Sequence, residues 1–130
     1  MLPIIKTSDA DRIFNLINHL SPTEKTKEVR QLVSEIQKAK KVTDAAMPRK
    51  VIQLGSYFEV KLEKQDQVIA MTLVLPKYAD LNSFKLSLFS PLGVALIGYK
   101  EGDRIEWPLP VGRKIIQILK VKNPEAVPVS

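Results

Sequence analysis

Apolar side chains in the first part of the chain recur at helical intervals. Ile13, Leu16, Ile17 and Leu20 fall at i, i+3, i+4 and i+7, and Val29, Leu32, Val33 and Ile36 repeat that spacing. Each set occupies one face of an amphipathic α-helix. Ser8-Asp9-Ala10-Asp11 reads as the first helix start, with Ser8 capping and Asp11 answering it. Ser21-Pro22-Thr23-Glu24 reads as the second, with proline at the first helical position and glutamate at the third. So tight a break predicts an antiparallel hairpin, a short coiled coil in which each stripe covers the other. The second helix should fade after Lys41 and stop by Pro48.

From Val51 the period changes to two. Phe58, Val60 and Leu62 alternate with Tyr57, Glu59, Lys61 and Glu63, as in a strand with one wet face. Lys64 to Gln67 is a polar turn into VIAMTLVL, which is apolar on both sides and suits a central strand. Phe84, Leu86 and Leu88 alternate again, and RIEWPL and RKIIQILKVK flank the turn Pro110-Val111-Gly112. Between them, Ser90 caps, Pro91 opens and Gly98 ends a helix of about two turns. Gly102-Asp103 turns the chain back, and the tail from Asn123, with Pro124 and Pro128, has no periodicity and reads as loose. The expected class is α+β: a helical hairpin over residues 1–47, then an antiparallel sheet with one short helix over 48–130.

At 45% hydrophobic and 26% charged residues, the 130-residue chain has the composition of a globular protein with room for one full domain and a small appendage. It contains no cysteine, which excludes disulfides and thiolate metal sites. With no membrane-length apolar run and no signal-peptide core at the start, a cytoplasmic protein without membrane contact is expected. The net charge of +6 is unevenly placed: residues 1–24 carry −1, residues 25–50 carry +5 and residues 51–130 carry +2. A basic strip from Lys25 to Lys50 suits an acidic partner, either an acidic protein channel or nucleic acid, or else is a solvated helix face.

Catalytic chemistry lacks parts. The single histidine, His19, ends the first helix and reads as a solvated or capping residue, so a nucleophilic triad cannot be assembled. The five glycines form no phosphate loop or dinucleotide fingerprint. Glu24 and Glu28, four apart near the hairpin tip, have the spacing to share a Mg²⁺ ion, but capping and helix-dipole roles explain both, and Lys25 and Lys27 neutralise the tip. No catalytic residue, metal or cofactor is expected. Trp107 reads as core, and Tyr57, Tyr78 and Tyr99 form no stacking ladder.

The stretch SPLGVALIGYKEGDRIEW, residues 90–107, closely resembles the C-terminal signature of the Gre transcript-cleavage factors. The matching positions are Ser90, Pro91, Ala95, Leu96, Ile97, Gly98, Gly102 and Asp103. Gly55 and Ser56 in VIQLGSYFEVKL match the family's Gly-Ser lead into the sheet. Gre factors carry a long coiled coil that presents an acidic pair to the polymerase active-site Mg²⁺. Here each helix has at most about 20 residues, a reach of about 30 Å, and the tip has no Asp-x-x-Glu pair. The short hairpin, Ala46-Met47-Pro48 and the Trp107 to Pro110 segment are similar to the Rnk branch of the family, whose members bind RNA polymerase without supporting cleavage.

The resemblance implies an FKBP-like fold for residues 48–130 and docking at the rim of the polymerase secondary channel. The implied contacts are Phe89, Ser90 and Pro91, where Phe89 replaces the aspartate of many Gre factors. The hairpin tip, His19, Glu24, Lys25, Lys27 and Glu28, would face the channel. A monomeric regulator is expected, with weak contact to nascent RNA or DNA through the basic strip. Three rivals stand beside it: a cleavage factor using Glu24 and Glu28, a peptidyl-prolyl isomerase, and an interaction module outside transcription. Isomerisation needs an aromatic pocket, and no pattern gathers Phe58, Phe84, Phe89 and Trp107.

Overall fold

The computed structural model describes residues 2–124. A short strand β1 (Ile4–Lys6) leads directly into helix α1 (Thr7–Asn18), and helix α2 (Lys27–Lys38) leads into strand β2 (Lys40–Val42). Then follow β3 (Tyr57–Leu62), β4 (Val68–Val74), β5 (Lys85–Ser87), helix α3 (Pro91–Leu96), β6 (Arg104–Leu109) and β7 (Gly112–Lys122). The class is α+β, as the change of period from 3.6 to 2 predicts.

Both helix starts differ from expectation. α1 begins at Thr7, one residue before Ser8, and Lys6 precedes it without a side-chain cap. The Ser8 N–H is instead answered from a distance, by Asp44 Oδ1 at 3.3 Å. Ser21 and Glu24 do close a turn, the Ser21 N–H donating to Glu24 Oε1 at 2.9 Å, but that turn is a separate 3₁₀ element, Pro22–Glu24. Lys25 leaves helical geometry at φ −81°, ψ 78°, and Thr26 caps α2 by accepting the Val29 N–H at 3.3 Å. Two capping residues lie within six positions, and the second opens the longer helix. At the other end, the Lys41 ammonium donates to the Ile36 and Gln37 carbonyls, closing α2 with a cation where the dipole favours one.

Each of these helices is 12 residues long, about 18 Å. Their stripes do not cover only each other. Ile13, Ile17, Val29, Leu32 and Ile36 are buried in the same hydrophobic cluster as Phe58, Leu88, Val94 and Leu96. Leu16, Leu20 and Val33 are half-buried. β1 and β2 pair in parallel, Ile4 with Lys40 through Lys6 with Val42, and join the two ends of the helical segment. The Ile4 N–H donates to the Gly98 carbonyl at 2.8 Å, tying β1 to the end of α3. Gly98 has φ +88°, and a Cβ there would come within 2.5 Å of Pro3 Cβ, so only glycine allows this approach.

The main sheet has the order β5-β4-β3-β7-β6. An antiparallel sheet is predicted from the alternation, and three of its four pairings are antiparallel, but β4 and β5 run parallel, from Thr72 with Lys85 to Val74 with Ser87. The sheet is therefore mixed. The reason lies in the connection: residues 75–84 form a crossover with two 3₁₀ turns, Pro76–Tyr78 and Leu81–Ser83, which brings the chain back alongside Thr72 so that β5 runs in the direction of β4. Phe84 is not a buried strand residue. It ends the second turn in the left-handed region, φ 57°, and is 66% exposed, while Leu86 and Leu88 point into the core. A bulge in the β3–β7 pairing at Glu59/Val60 curls the sheet about that core.

Asn123, the first residue after β7, is anchored and not loose. Its Nδ2 donates to the Arg49 and Val51 carbonyls at 2.6 and 2.9 Å, and its Oδ1 accepts from the buried Ser56 hydroxyl. Ser56 Oγ also accepts the Gln53 N–H at 2.7 Å. The Gly55-Ser56 motif is thus a clasp between the two ends of the sheet segment. Pro128 and the rest of the tail lie outside the described residues.

Candidate functional site

The turn from β5 into α3 is built to be stiff. Ser90 Oγ accepts the Gly93 N–H at 3.1 Å and donates to the Ser87 carbonyl at 2.7 Å, so one hydroxyl caps the helix and pins it to the strand. The Phe89 N–H donates to Ser87 Oγ at 3.0 Å, and Pro91 occupies the first helical turn. Gly93 lets α3 lie directly on β5, since a Cβ there would sit 2.3 Å from the Ser87 carbonyl oxygen. Gly93 to Leu96 are buried, whereas Phe89, Ser90 and Pro91 stay half-exposed at the corner.

Beside this corner lies an open cavity of about 620 Å³ between α1 and the crossover. Its apolar lining is Leu16, Leu20, Leu75, Pro76 and Phe89. Arg12, His19, Glu24 and Lys77 supply charged and polar groups. The fold thus brings Phe89 together with two residues of the predicted tip, His19 and Glu24. Lys25 instead borders a second, smaller cavity of about 470 Å³ with Phe14, Val29 and Val33. Lys27 and Glu28 are on the first turn of α2 and line neither.

Glu24 is fully exposed, and the Ser21 amide, followed by the Ser21 side chain, holds its carboxyl below the usual range. His19 Nδ1 is 2.7 Å from the Asn15 carbonyl, and the residue caps the end of α1. Among the described residues no group of three or more metal-ligating side chains converges. The basic strip is partly spent on the fold. Arg30 donates to the Lys25 carbonyl at 2.8 Å, Lys38 pairs with Glu35 at 3.1 Å, Lys41 closes α2, and Lys50 reaches the Val121 carbonyl at 3.5 Å. Lys25, Lys27, Lys40 and Arg49 remain as exposed cations.

Three buried ionisable groups were not legible from spacing. Asp9, in the first turn of α1, is 5% exposed, and desolvation raises its carboxyl above the ordinary value against the opposing pull of Lys6, the Leu54 amide and Arg12. Glu35 is 6% exposed, and its Oε2 has no hydrogen-bond partner among the described residues. Tyr99 sits near it, its hydroxyl pushed up to about 12 first by desolvation and then by the charges of Glu35 and Asp103. All three lie at the seam between the helical segment and the sheet.

A helical segment packed on a curled, mixed five-stranded sheet, with a Ser-Pro-opened helix at its corner, is the architecture of the Gre factors. This chain belongs to the GreA/GreB C-terminal family: residues 47–123 match the family described as transcription elongation factor, GreA/GreB, C-term. It is 34% identical over 93 residues to the transcription elongation factor GreA of Clostridium botulinum (strain Eklund 17B / Type B), covering 72% of this chain and 58% of that protein. The regulator of nucleoside diphosphate kinase of Escherichia coli (strain K12) is 34% identical over 98 residues, covering 73% and 71%. Among solved structures, a prokaryotic transcription elongation factor GreA/GreB from Nitrosomonas europaea superposes with a TM-score of 0.74 at 31% identity, over 94% of this chain and 98% of that one. Thermus aquaticus Gfh1, at 17% identity and a TM-score of 0.51 over 94% and 99%, shares the fold. The chain thus spans less than two thirds of the Clostridium GreA it matches.

Proposed function

We propose that this protein binds RNA polymerase at its secondary channel, competes there with Gre factors, and does not itself support transcript cleavage. The observation that carries this reading is the helical segment. Its helices are 12 residues long and spend their apolar stripes on the sheet's core, so about 18 Å of helix is available where a channel-spanning coiled coil needs far more. Glu24 is committed to the Ser21 N–H, and among the described residues Glu28 belongs to no group of three or more metal-ligating side chains. Steric competition needs neither.

In this reading the half-exposed Phe89, with Ser90 and Pro91, docks on the rim, and His19 and Glu24 look toward the channel with Lys25, Lys27 and Glu28 nearby. Lys25, Lys27, Lys40 and Arg49 supply weak contact with nascent RNA or DNA. The protein acts as a cytoplasmic monomer, and residues 1–47 and 48–130 are its two functional parts. The rival reading, a cleavage factor holding Mg²⁺ through Glu24 and Glu28, is favoured by the GreA relatives. Both are tested with a backtracked elongation complex. The expected result is no RNA cleavage by this protein at stoichiometric concentration, and slower cleavage by an added Gre factor. Efficient cleavage that disappears in the Glu24→Gln/Glu28→Gln variant would reverse the assignment.

A further inference from the structure

The β4–β5 crossover carries the most exposed apolar side chains of the described sheet segment apart from Val111. Tyr78 is 57% exposed, Leu81 70% and Phe84 66%. They stand on a loop that is closely tied down. Asp80 Oδ1 accepts the Asn82 N–H at 3.1 Å, and Asp80 Oδ2 accepts the Ser83 hydroxyl at 2.9 Å. Asp80 and Lys85 exchange both backbone hydrogen bonds, at 3.0 and 2.9 Å.

Phe84 is the telling residue. It occupies the left-handed region at φ 57°, ψ 38°, its N–H donating to the Leu81 carbonyl at 3.1 Å and its carbonyl accepting the Thr72 N–H at 2.9 Å. A bulky residue there is strained, and asparagine or glycine would hold the same turn at less cost. Burial does not offset the strain, because two thirds of the residue faces solvent. The other described non-glycine with positive φ is Lys64, a polar residue in an exposed turn, so the combination of strain with an exposed aromatic ring occurs at Phe84 alone among the described residues.

The charges around this tip point to its occupant. Lys77 and Lys85 flank it, the Lys77 ammonium 5.0 Å from the centre of the Tyr78 ring, and Arg12 lies across the neighbouring cavity from Lys77. Among the described residues none of the three forms an ion pair. The nearby carboxylates, Asp80 and Glu24, accept hydrogen bonds within the chain from neutral donors and keep their charge, so the three cations outnumber them and leave the patch net positive. An anionic partner surface is therefore matched here, whereas a second copy of this chain, at +6, would bring like charges together. Leu81, the most exposed of the three, has no ring to stack on a base, which favours a protein groove over single-stranded nucleic acid.

We propose that Tyr78, Leu81 and Phe84 form a second polymerase contact, separate from the Ser90-Pro91 corner, that seats in an apolar groove edged by carboxylates. This rests on the polymerase-binding reading above and adds the surface and its partner chemistry. The test measures affinity of the full chain for core RNA polymerase together with its melting temperature. Phe84→Asn should weaken binding about tenfold or more while leaving the melting temperature unchanged or raised. Leu81→Ser, which alters no backbone requirement, should weaken it in the same direction, and Lys77→Glu/Lys85→Glu should lower affinity and flatten its dependence on salt.

Wild-type affinity in both Phe84→Asn and Leu81→Ser would overturn this contact and leave the polymerase reading standing. Absence of binding by the unaltered protein would end both. Tip variants that lose affinity for a single-stranded RNA oligonucleotide, with polymerase affinity intact, would overturn it in favour of nucleic acid.

Discussion

β5 is flanked by two connections of opposite construction. On its C-terminal side the chain passes through Ser87 to Gly93, where one serine hydroxyl serves as cap and clamp and a glycine lets helix backbone rest on strand backbone. On its N-terminal side the crossover turns three large apolar side chains outward and places one of them in a strained conformation. The first connection gains stability from almost every atom. The second gives some up. Exposed apolar area and backbone strain are both unfavourable in the isolated protein, so their coincidence fits the contact proposed above, and the Ser-Pro corner, besides its proposed docking role, is a structural joint.

Changes at the joint should therefore destabilise, in contrast to the neutral or stabilising effect expected of Phe84→Asn. The largest effect is expected from Gly93→Ala, because its Cβ would meet backbone oxygen and not a movable side chain. A loss of about 3 kcal/mol is expected, from the upper range of overpacking costs. It would be read as a lower denaturant midpoint with unchanged slope. A variant as stable as the parent would show that α3 can lift from β5, and the contrast between the two connections would fail.

Ser90→Ala comes next, at about 1 kcal/mol for a lost N-cap. Because Ser90 also donates to the Ser87 carbonyl, Ser90→Asp should restore the cap without restoring the clamp and recover only part of the loss. Full recovery would make Ser90 a cap alone.

The smallest effect belongs to Asp9→Asn, which touches neither connection and serves as a control. Desolvation raises the Asp9 carboxyl above its ordinary value of 3.8, so the folded state binds the proton more tightly than the unfolded chain. Ionisation thus costs stability at pH values above the raised value, and the cost disappears as pH falls below the ordinary one. Asp9→Asn should raise the melting temperature slightly at neutral pH and give no gain below 3.8. A loss at neutral pH would mean that Lys6 and Arg12 outweigh burial.

Much of this molecule is written locally. Helical periodicity located α1 and α2, and alternation or short apolar runs located all five main-sheet strands, because side-chain direction depends on the backbone of the residue itself. Ser90, Pro91 and Gly98 announced α3 by their chemistry, and the Ser-Pro signature marked the family. The exact start of α2 was less legible, since Ser21 and Thr26 are both competent caps and the conformation of Lys25 decides between them.

What local pattern could not hold was direction and partnership. Ile4 to Lys6 and Lys40 to Val42 are three residues each, too short for a period, and become strands only because the folded chain sets them side by side. Phe84 alternates with Leu86 and Leu88 exactly as a core residue would, yet the crossover that makes β5 parallel to β4 rotates it outward. Nothing in the spacing of Asp9 and Glu35 marks them as buried, and they become so only in the fold, Asp9 beside Leu54 and Glu35 near Tyr99. Spacing along the chain determines which side chains share a face. Only the meeting of distant segments determines what that face meets, and at Phe84 it meets solvent.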